Sequence, residues 1–349
     1  MINTKAVSVI IPFHNSTEYM RDCIENMIHQ TIGIDKLELI FVDDASDDDG
    51  RTVEVLKEYE AQYPDSIKLI CLETNMRQGG ARNVGLMYAT GEYVAYCDSD
   101  DWMADNALEI AYNIAVSQDC DEVEFDFTHG MEKKRLGIIS EKDIIGNIEY
   151  INIDSVEKRK EWFMSGIIQP CTNKIFRRSM LVENNIVFAE HIINEEVPFT
   201  LTTAFYVKKF CKLNVPMYYY YRHSDSSTLS NGYIGYIDDV LESYDVFYDE
   251  CIVHGLMNEY KAEIDFTYWS GYFLLPMLVM AGKQQFFTRQ QLEKMQQHVR
   301  NRMKSIKDNR YFKEKFAVCP MLGDLAFVDL SEIDISQIAD TLKEIAVEV

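Results

Sequence analysis

From the N-terminus, short apolar runs alternate with amphipathic stretches. Val7-Ser8-Val9-Ile10-Ile11 is nearly continuous in apolar character and is ended by Pro12, the pattern of a strand buried on both faces. Over residues 18–30, Tyr19, Cys23, Ile24, Met27 and Ile28 recur at helical spacing. Residues 37–42 predict a second strand, 51–63 a helix stopped by Pro64, 67–72 a third strand, and 79–88 a helix opened by Gly79 and Gly80. Tyr93, Val94, Ala95, Tyr96 and Cys97 predict a fourth strand after Gly91, followed by a helix over 104–117 and a strand over 123–127. Strands and helices in this alternation predict an α/β fold, a mostly parallel sheet flanked by helices.

From about residue 232 the pattern changes. Residues 233–254 and 257–280 read as helices rich in Tyr, Phe, Leu and Met, 284–307 as a charged, Gln-rich helix, and 336–348 as a last helix. The expected division is an α/β domain over 1–231 and a mostly helical C-terminal region over 232–349.

The ends of the predicted strands carry the chemistry. The fourth delivers Asp98-Ser99-Asp100-Asp101, three carboxylates in four residues. Carboxylates packed this tightly repel one another, and a hard divalent cation, Mg²⁺ or Mn²⁺, is the usual reason for such a cluster. The competing reading is an acidic turn in which Asp100 or Asp101 caps the next helix. The first strand ends in Pro12-Phe13-His14-Asn15 and the second in Asp43-Asp44. In a parallel sheet these three ends share one rim, where open α/β sheets bind ligands, and their convergence reads as a nucleotide site.

Composition narrows the partners. The chain has 349 residues, 47% of them hydrophobic, ample for a full core. A net charge of −23 argues against nucleic acid, and it requires that any nucleotide be bound through a cation and a few placed arginines. No run of eighteen apolar residues exists, and residues 1–5 lack the apolar core of a signal peptide. The eight cysteines are scattered with no Cys-x-x-Cys pair, as for reduced thiols rather than a disulfide frame or zinc site. The expectation is a cytoplasmic protein, at most peripheral at the inner face of a membrane.

Four ordered motifs, Val7-Ser8-Val9-Ile10-Ile11-Pro12, Val42-Asp43-Asp44-Ala45-Ser46, Gly80-Ala81-Arg82-Asn83-Val84-Gly85 and Asp98-Ser99-Asp100-Asp101, make this chain resemble the family 2 glycosyltransferases. The resemblance is dense over residues 5–127 and thinner to about 230. It implies a GT-A (Rossmann-like) fold, a nucleotide-binding half over 1–127 and an acceptor-side half over 128–231. The activity implied is inverting transfer of a sugar from a nucleotide donor, UDP foremost, to a hydroxyl of a glycan or lipid-linked glycan.

Position by position, the resemblance implies that Pro12, Phe13 and Asn15 line the base of the nucleotide. Asp44 accepts the pyrimidine N3–H, and Asp43 contacts the ring or orients the loop; the competing reading of the pair is an Asx turn into the next helix. Arg82 contacts the nucleotide or its phosphates, or else is a surface arginine paired with a glutamate. Asp98 meets ribose or metal with Ser99 beside it, Asp100 binds the metal, and Asp101 caps the next helix. The general base falls in Phe188-Ala189-Glu190-His191-Ile192-Ile193-Asn194-Glu195-Glu196-Val197-Pro198-Phe199, with Glu196 at the base position and Glu195 as its alternative. Glu196 stands where the family has Asp, so its carboxylate lies one C–C bond further out. Lys174, and Arg222 or His223 after the run from Tyr218 to Tyr221, fall on the acceptor or diphosphate side, with Ser226-Ser227 following; the tyrosine run reads equally as a half-buried strand. His191 and His223 are too isolated in sequence for a metal site. The C-terminal helices suit packing on the catalytic domain, acceptor binding or assembly of a homo-oligomer. Two rival functions are a non-catalytic GT-A-like binding or assembly module and a sugar nucleotidyltransferase. The latter calls for a Gly-rich basic loop where Pro12-Phe13-His14-Asn15 stands.

Overall fold

Every residue of β1 (Val7–Phe13) is buried, and the sheet is assembled around it. Its neighbours are β2 (Leu37–Asp43) and β4 (Tyr93–Tyr96), both parallel to it, and β3 (Ile67–Cys71) extends the parallel set beyond β2. Pro12 does not end the strand. Pairing of β1 with β4 stops at Ile10 opposite Tyr96, so Pro12 has a strand neighbour on one side only, a place where a residue without N–H fits. The structure, a computed structural model, describes residues 5–223, 237–283, 285, 287–316 and 321–330.

Side-chain alternation along β1 sets the layers. Val7, Val9, Ile11 and Phe13 join one hydrophobic core with Met20, Cys23, Ile24 and Met27 of α1 (Met20–Ile28), Leu56 of α2 (Arg51–Gln62) and Ala107, Leu108 and Ala111 of α4 (Ala107–Gln118). Ile10 points the other way, against α3 (Arg77–Tyr88). A Cβ on Gly85 of α3 would overlap the Ile10 side chain, so glycine is what lets this helix lie close on the sheet.

Past β4 the sheet becomes mixed. β8 (Lys174–Arg177) pairs antiparallel with β4 and with β6 (Glu122–Gly130), and the long β9 (Lys209–Tyr221) runs parallel to β6. β9 also pairs antiparallel with the two-residue β5 (Trp102–Met103) and with β7 (Ile148–Asn152). The order is β3-β2-β1-β4-β8-β6-β9-β5, with β7 on β9. Four further helices are described in this unit: α5 (Glu141–Ile144), α6 (Val156–Met164), α7 (Arg178–Glu183) and α8 (Glu196–Thr203).

The chain divides into two compact units, Met1–Gly235 and Tyr236–Val349. The second is helical among its described residues: α9 (Ile237–Val253), α10 (Met257–Tyr268), a π-helical turn (Trp269–Leu274), α11 (Leu275–Gly282), α12 (Arg289–Arg302), α13 (Arg310–Lys315) and α14 (Met321–Leu325). The π turn interrupts the single helix expected over 257–280. Pro276 supplies a reason: it offers no N–H to the carbonyl four residues back, and its ring crowds that carbonyl. Asp245 gathers three helices by accepting bonds from Tyr268 Oη at 2.8 Å, His298 Nδ1 at 2.9 Å and Arg302 Nε at 3.0 Å. The helix expected over 336–348 lies outside the described residues.

One buried ionic cluster makes the fold sensitive to pH. Lys174 of β8 donates to Glu124 of β6 at 2.6 Å, and both side chains are buried. Glu122, two residues back along β6, is also buried. Burial pushes its carboxyl up to about 8 against the pull of Lys174, with Glu124 and Asp121 adding to the rise. A raised folded-state value means the folded chain holds a proton that the unfolded chain releases near pH 4.5. Stability from this group is therefore fully present below about pH 4.5 and is lost as pH rises toward 8. Glu122→Gln should remove that dependence. Denaturant unfolding at pH 5 and pH 8 should show the wild type losing stability relative to the variant as pH rises; parallel losses would place the titration elsewhere.

Candidate active site

The three strand ends do converge. Register sets Phe13 beside Asp43, and β4 delivers Cys97, whose N–H bonds the Ile10 carbonyl, and then Asp98 to the same edge. The loops there are held in uncommon backbone: Asn15 (φ 51°) and Ala45 (φ 54°) both lie in the left-handed region. The two loops are laced together. Asn15 Nδ2 donates to Asp47 at 2.7 Å, and Asp47 N–H returns a bond to Asn15 Oδ1 at 3.0 Å. His14 Nδ1 donates to the Asp44 carbonyl at 2.9 Å.

The acidic pair splits its duties. Asp43 accepts from the Ser46 hydroxyl at 2.5 Å and from the Ser46 N–H at 3.3 Å, closing a turn. Asp44 Oδ1 accepts the Met76 N–H at 2.7 Å, just ahead of α3. Burial raises the Asp44 pKa, while the Met76 N–H lowers it. Pro12 and Phe13 are buried in β1. The Phe13 ring packs edge-on against Phe41 at 5.3 Å, so Phe13 offers the rim its backbone rather than its ring.

Arg82 is the hub. Its guanidinium, 1% exposed, donates Nη2 to Asp98 Oδ1 at 2.7 Å and Nη1 to Glu195 Oε1, and Glu196 Oε1 lies 4.0 Å from Nη1. Burial works against its charge, but the carboxylates of Asp98, Glu195 and Glu196 hold the proton firmly. Its ring neighbour is Phe188 at 5.3 Å, and Phe188 stacks on Phe199 at 3.8 Å. The approach depends on Gly79, where a Cβ would overlap the Ala189 carbonyl and press on the Glu195 side chain. Asn83 ties the same loop down, donating to the Phe188 carbonyl at 3.0 Å and accepting the Phe188 N–H at 2.8 Å.

The Asp98–Asp101 turn faces β9. Asp100 Oδ2 accepts from His223 Nε2 at 2.8 Å, and Tyr19 covers the His223 ring at 4.1 Å. Burial, then the charge of Asp98, raises the Asp100 pKa. Ser99 bonds Ser16 through their hydroxyls at 3.1 Å. Asp101 does not cap the next helix. β5 intervenes, Asn106 stands at the N-cap of α4, and the buried Asp101 carboxylate accepts from Tyr218 Oη at 2.6 Å and Tyr221 N–H at 2.8 Å. The tyrosine run is a strand whose end holds this turn in place.

These residues fit a divalent cation. Asp98 and Asp100 stand on one turn, the second with a pKa raised by burial and then by the charge of the first, and offer hard oxygen donors with an imidazole at their edge. No group of three or more metal-ligating side chains occurs among the described residues. A pair is what Mg²⁺ uses when phosphates and water supply the rest.

Glu195 and Glu196 arrive through a loop with left-handed residues at His191 (φ 63°) and Asn194 (φ 74°). Burial pushes the Glu195 carboxyl up to about 6, Arg82 pulls it down and Glu196 pushes it up. Glu196, first residue of α8, is 26% exposed in its side chain, and its Oε1 accepts from the Cys171 N–H at 3.0 Å.

One expected contact, Lys174, is not brought to this edge. Lys174 sits on the buried face of β8, ion-paired with Glu124, a correction that follows from strand alternation. Arg222 lies over the Tyr220 ring at 6.0 Å, and its N–H bonds the Gly130 carbonyl. Ser226 and Ser227 lie outside the described residues. Sequence reasoning missed Cys171, Tyr19, His14 and the tyrosine support of Asp101. Asn83 stood inside a quoted motif with no role assigned, and the His223–Asp100 contact appears only once β9 is placed.

No described helix is long and apolar enough to cross a membrane. The fold resembles that of the solved Staphylococcus aureus TarS 1–349 in complex with UDP-GlcNAc, with a TM-score of 0.68 at 19% identity over 97% of this chain and 90% of that one. A poly(ribitol-phosphate) beta-glucosyltransferase of Bacillus spizizenii is 27% identical over 247 residues, 68% of this chain and 36% of that protein. The poly(ribitol-phosphate) beta-N-acetylglucosaminyltransferase TarP of Staphylococcus aureus is 31% identical over 188 residues, 53% of this chain and 52% of that protein. This chain thus spans between about a third and two thirds of the length of the first curated relatives it matches. The model of glycosyl transferase family 2 matches residues 8–184, over half of the chain, and the protein belongs to that family.

Proposed function

We propose that this protein is a metal-dependent, inverting glycosyltransferase that moves a sugar from a UDP-sugar to a hydroxyl of a surface glycan. The observation that carries the reading is the single edge on which the Asp44 loop, a buried arginine, a carboxylate pair and a half-buried carboxylate meet. Family membership supports sugar transfer. The names of the relatives support the finer choice: UDP-GlcNAc or UDP-glucose as donor and a poly(ribitol phosphate) chain as acceptor.

In this reading Asp44, with the Pro12–Asn15 loop, receives the uracil. Asp98 and Asp100, with His223 beside them, hold Mn²⁺ or Mg²⁺, and Arg82 supports the nucleotide end of the site. The bound cation supplies Lewis-acid neutralisation of the departing diphosphate. Glu196 takes the proton of the acceptor hydroxyl as its oxygen attacks the anomeric carbon from the face opposite the diphosphate, which inverts the configuration. Glu195 is the poorer base because Arg82 occupies its carboxylate and it is buried. It serves by fixing Arg82.

Two tests follow. Thermal unfolding with UDP, UDP-glucose or UDP-GlcNAc, each with and without Mn²⁺, should show stabilisation only when both components are present. A ligand at 100 times its Kd adds about 2.7 kcal/mol. Asp100→Ala should abolish the shift, and an unchanged shift in that variant would remove Asp100 from the site. In turnover assays with poly(ribitol phosphate), Glu196→Gln should lose roughly 10²–10⁴-fold in kcat, the usual worth of a general base, while keeping the UDP-dependent shift. Binding by the wild type without turnover on any acceptor would favour the non-catalytic module.

A further inference from the structure

Glu196 is held by one oxygen only. Its Oε1 accepts two bonds from a single residue, the backbone N–H of Cys171 at 3.0 Å and the Cys171 thiol at 2.9 Å, with Arg82 Nη1 at 4.0 Å on the same oxygen. Its Oε2 accepts no hydrogen bond among the described residues. Cys171 is itself on a firm mount. Two residues on, Asn173 is fully buried; its Nδ2 donates to the Phe125 carbonyl at 2.6 Å, and its own carbonyl accepts the Phe125 N–H at 3.0 Å. From below, the Thr200 hydroxyl bonds the Glu196 carbonyl at 2.8 Å and holds the first turn of α8.

We propose that Cys171 is a positioning residue for the reaction: its thiol and N–H together lock Glu196 Oε1, so that Oε2 alone is presented to the acceptor hydroxyl. The inference rests on the reading of Glu196 as general base. The thiol is suited to the role. Cys171 is fully buried, and burial raises its pKa far enough that it stays protonated and donates, even with Arg82 nearby. A thiol is a weaker donor than a hydroxyl, so it orients the carboxylate with less loss of basicity. The longer reach of glutamate, which by itself would let the carboxylate swing, is taken up by this clamp. Without the clamp the carboxylate rotates, and misplacement on the order of 1 Å is enough to slow proton transfer substantially.

The test uses the full chain, Mn²⁺, UDP-GlcNAc and UDP-glucose as donors, and poly(ribitol phosphate) as acceptor, reading UDP release. Cys171→Ala should lower kcat on the order of tenfold and leave the donor KM within about twofold, the pattern of an interaction that acts on the chemical step. Cys171→Ser restores a donor of similar size and should recover kcat to within about threefold of wild type. The acid limb of the pH–rate profile should move to higher pH in Cys171→Ala, because a bond to the charged carboxylate is lost while Arg82 and Glu195 remain. Melting temperatures of both variants separate these effects from misfolding.

Wild-type kcat in a folded Cys171→Ala would overturn the inference, as would a change in KM alone or a folded Cys171→Ser as slow as Cys171→Ala. A Cys171→Ala chain that does not fold leaves the decision to Cys171→Ser and its acid limb, which should lie at or below that of wild type. Failure of the underlying reading looks different: no UDP release by wild type, or full activity in Glu196→Gln, removes the base itself and the inference with it.

Discussion

A buried arginine bonded to carboxylates on two different segments is the constraint from which the site follows. Arg82 reaches Asp98 after β4 and Glu195 before α8, so one guanidinium joins the turn proposed to bind donor to the loop proposed to carry the base. Neither acid touches the other side directly; each is fixed by sharing the same cation. Removing one partner of such a group leaves an uncompensated charge in a desolvated place, which costs about 3–5 kcal/mol. The glycine at position 79, the Asn83 clamp on Phe188 and the stacked Phe188–Phe199 pair all serve the approach of helix to loop that this arrangement needs.

The second constraint is charge. A chain of net charge −23 gathers still more carboxylates at one edge, and the structure gives each a distinct neighbour. Asp43 closes its own turn, Asp44 takes the Met76 N–H, Asp98 takes Arg82, Asp100 takes His223 and Asp101 takes Tyr218. Glu196 keeps Oε2 without a hydrogen-bond partner among the described residues while Arg82 takes the neighbouring Glu195, which is why the acceptor chemistry is proposed there.

The parallel core was legible because apolar runs such as Val7-Ser8-Val9-Ile10-Ile11 and their spacing obey simple periodicity, and the acidic strand ends were legible because carboxylates are conspicuous there. What escaped was everything set by long-range pairing. Asp101 looked like a helix cap because local sequence cannot show that β5 intervenes and that β9, more than a hundred residues on, brings Tyr218 to it. Lys174 looked like a ligand contact because its sequence neighbours do not reveal which face of β8 it occupies. Pro12 looked like a strand end, and only the short pairing with β4 explains why the strand continues. Cys171 opens the stretch that carries Lys174 but has no role assigned from sequence, since a lone cysteine reads the same whether it is packed filler or a donor.

The claim that Arg82 couples the two halves of the site is tested most directly by a double-mutant cycle on unfolding free energy, using Asp98→Asn, Glu195→Gln and the double variant. The two acids sharing one buried guanidinium should give a coupling of about 1 kcal/mol or more, with the double variant destabilised beyond the sum of the singles. Additivity within about 0.5 kcal/mol would contradict the account, because it would mean that Asp98 and Glu195 are held independently of Arg82.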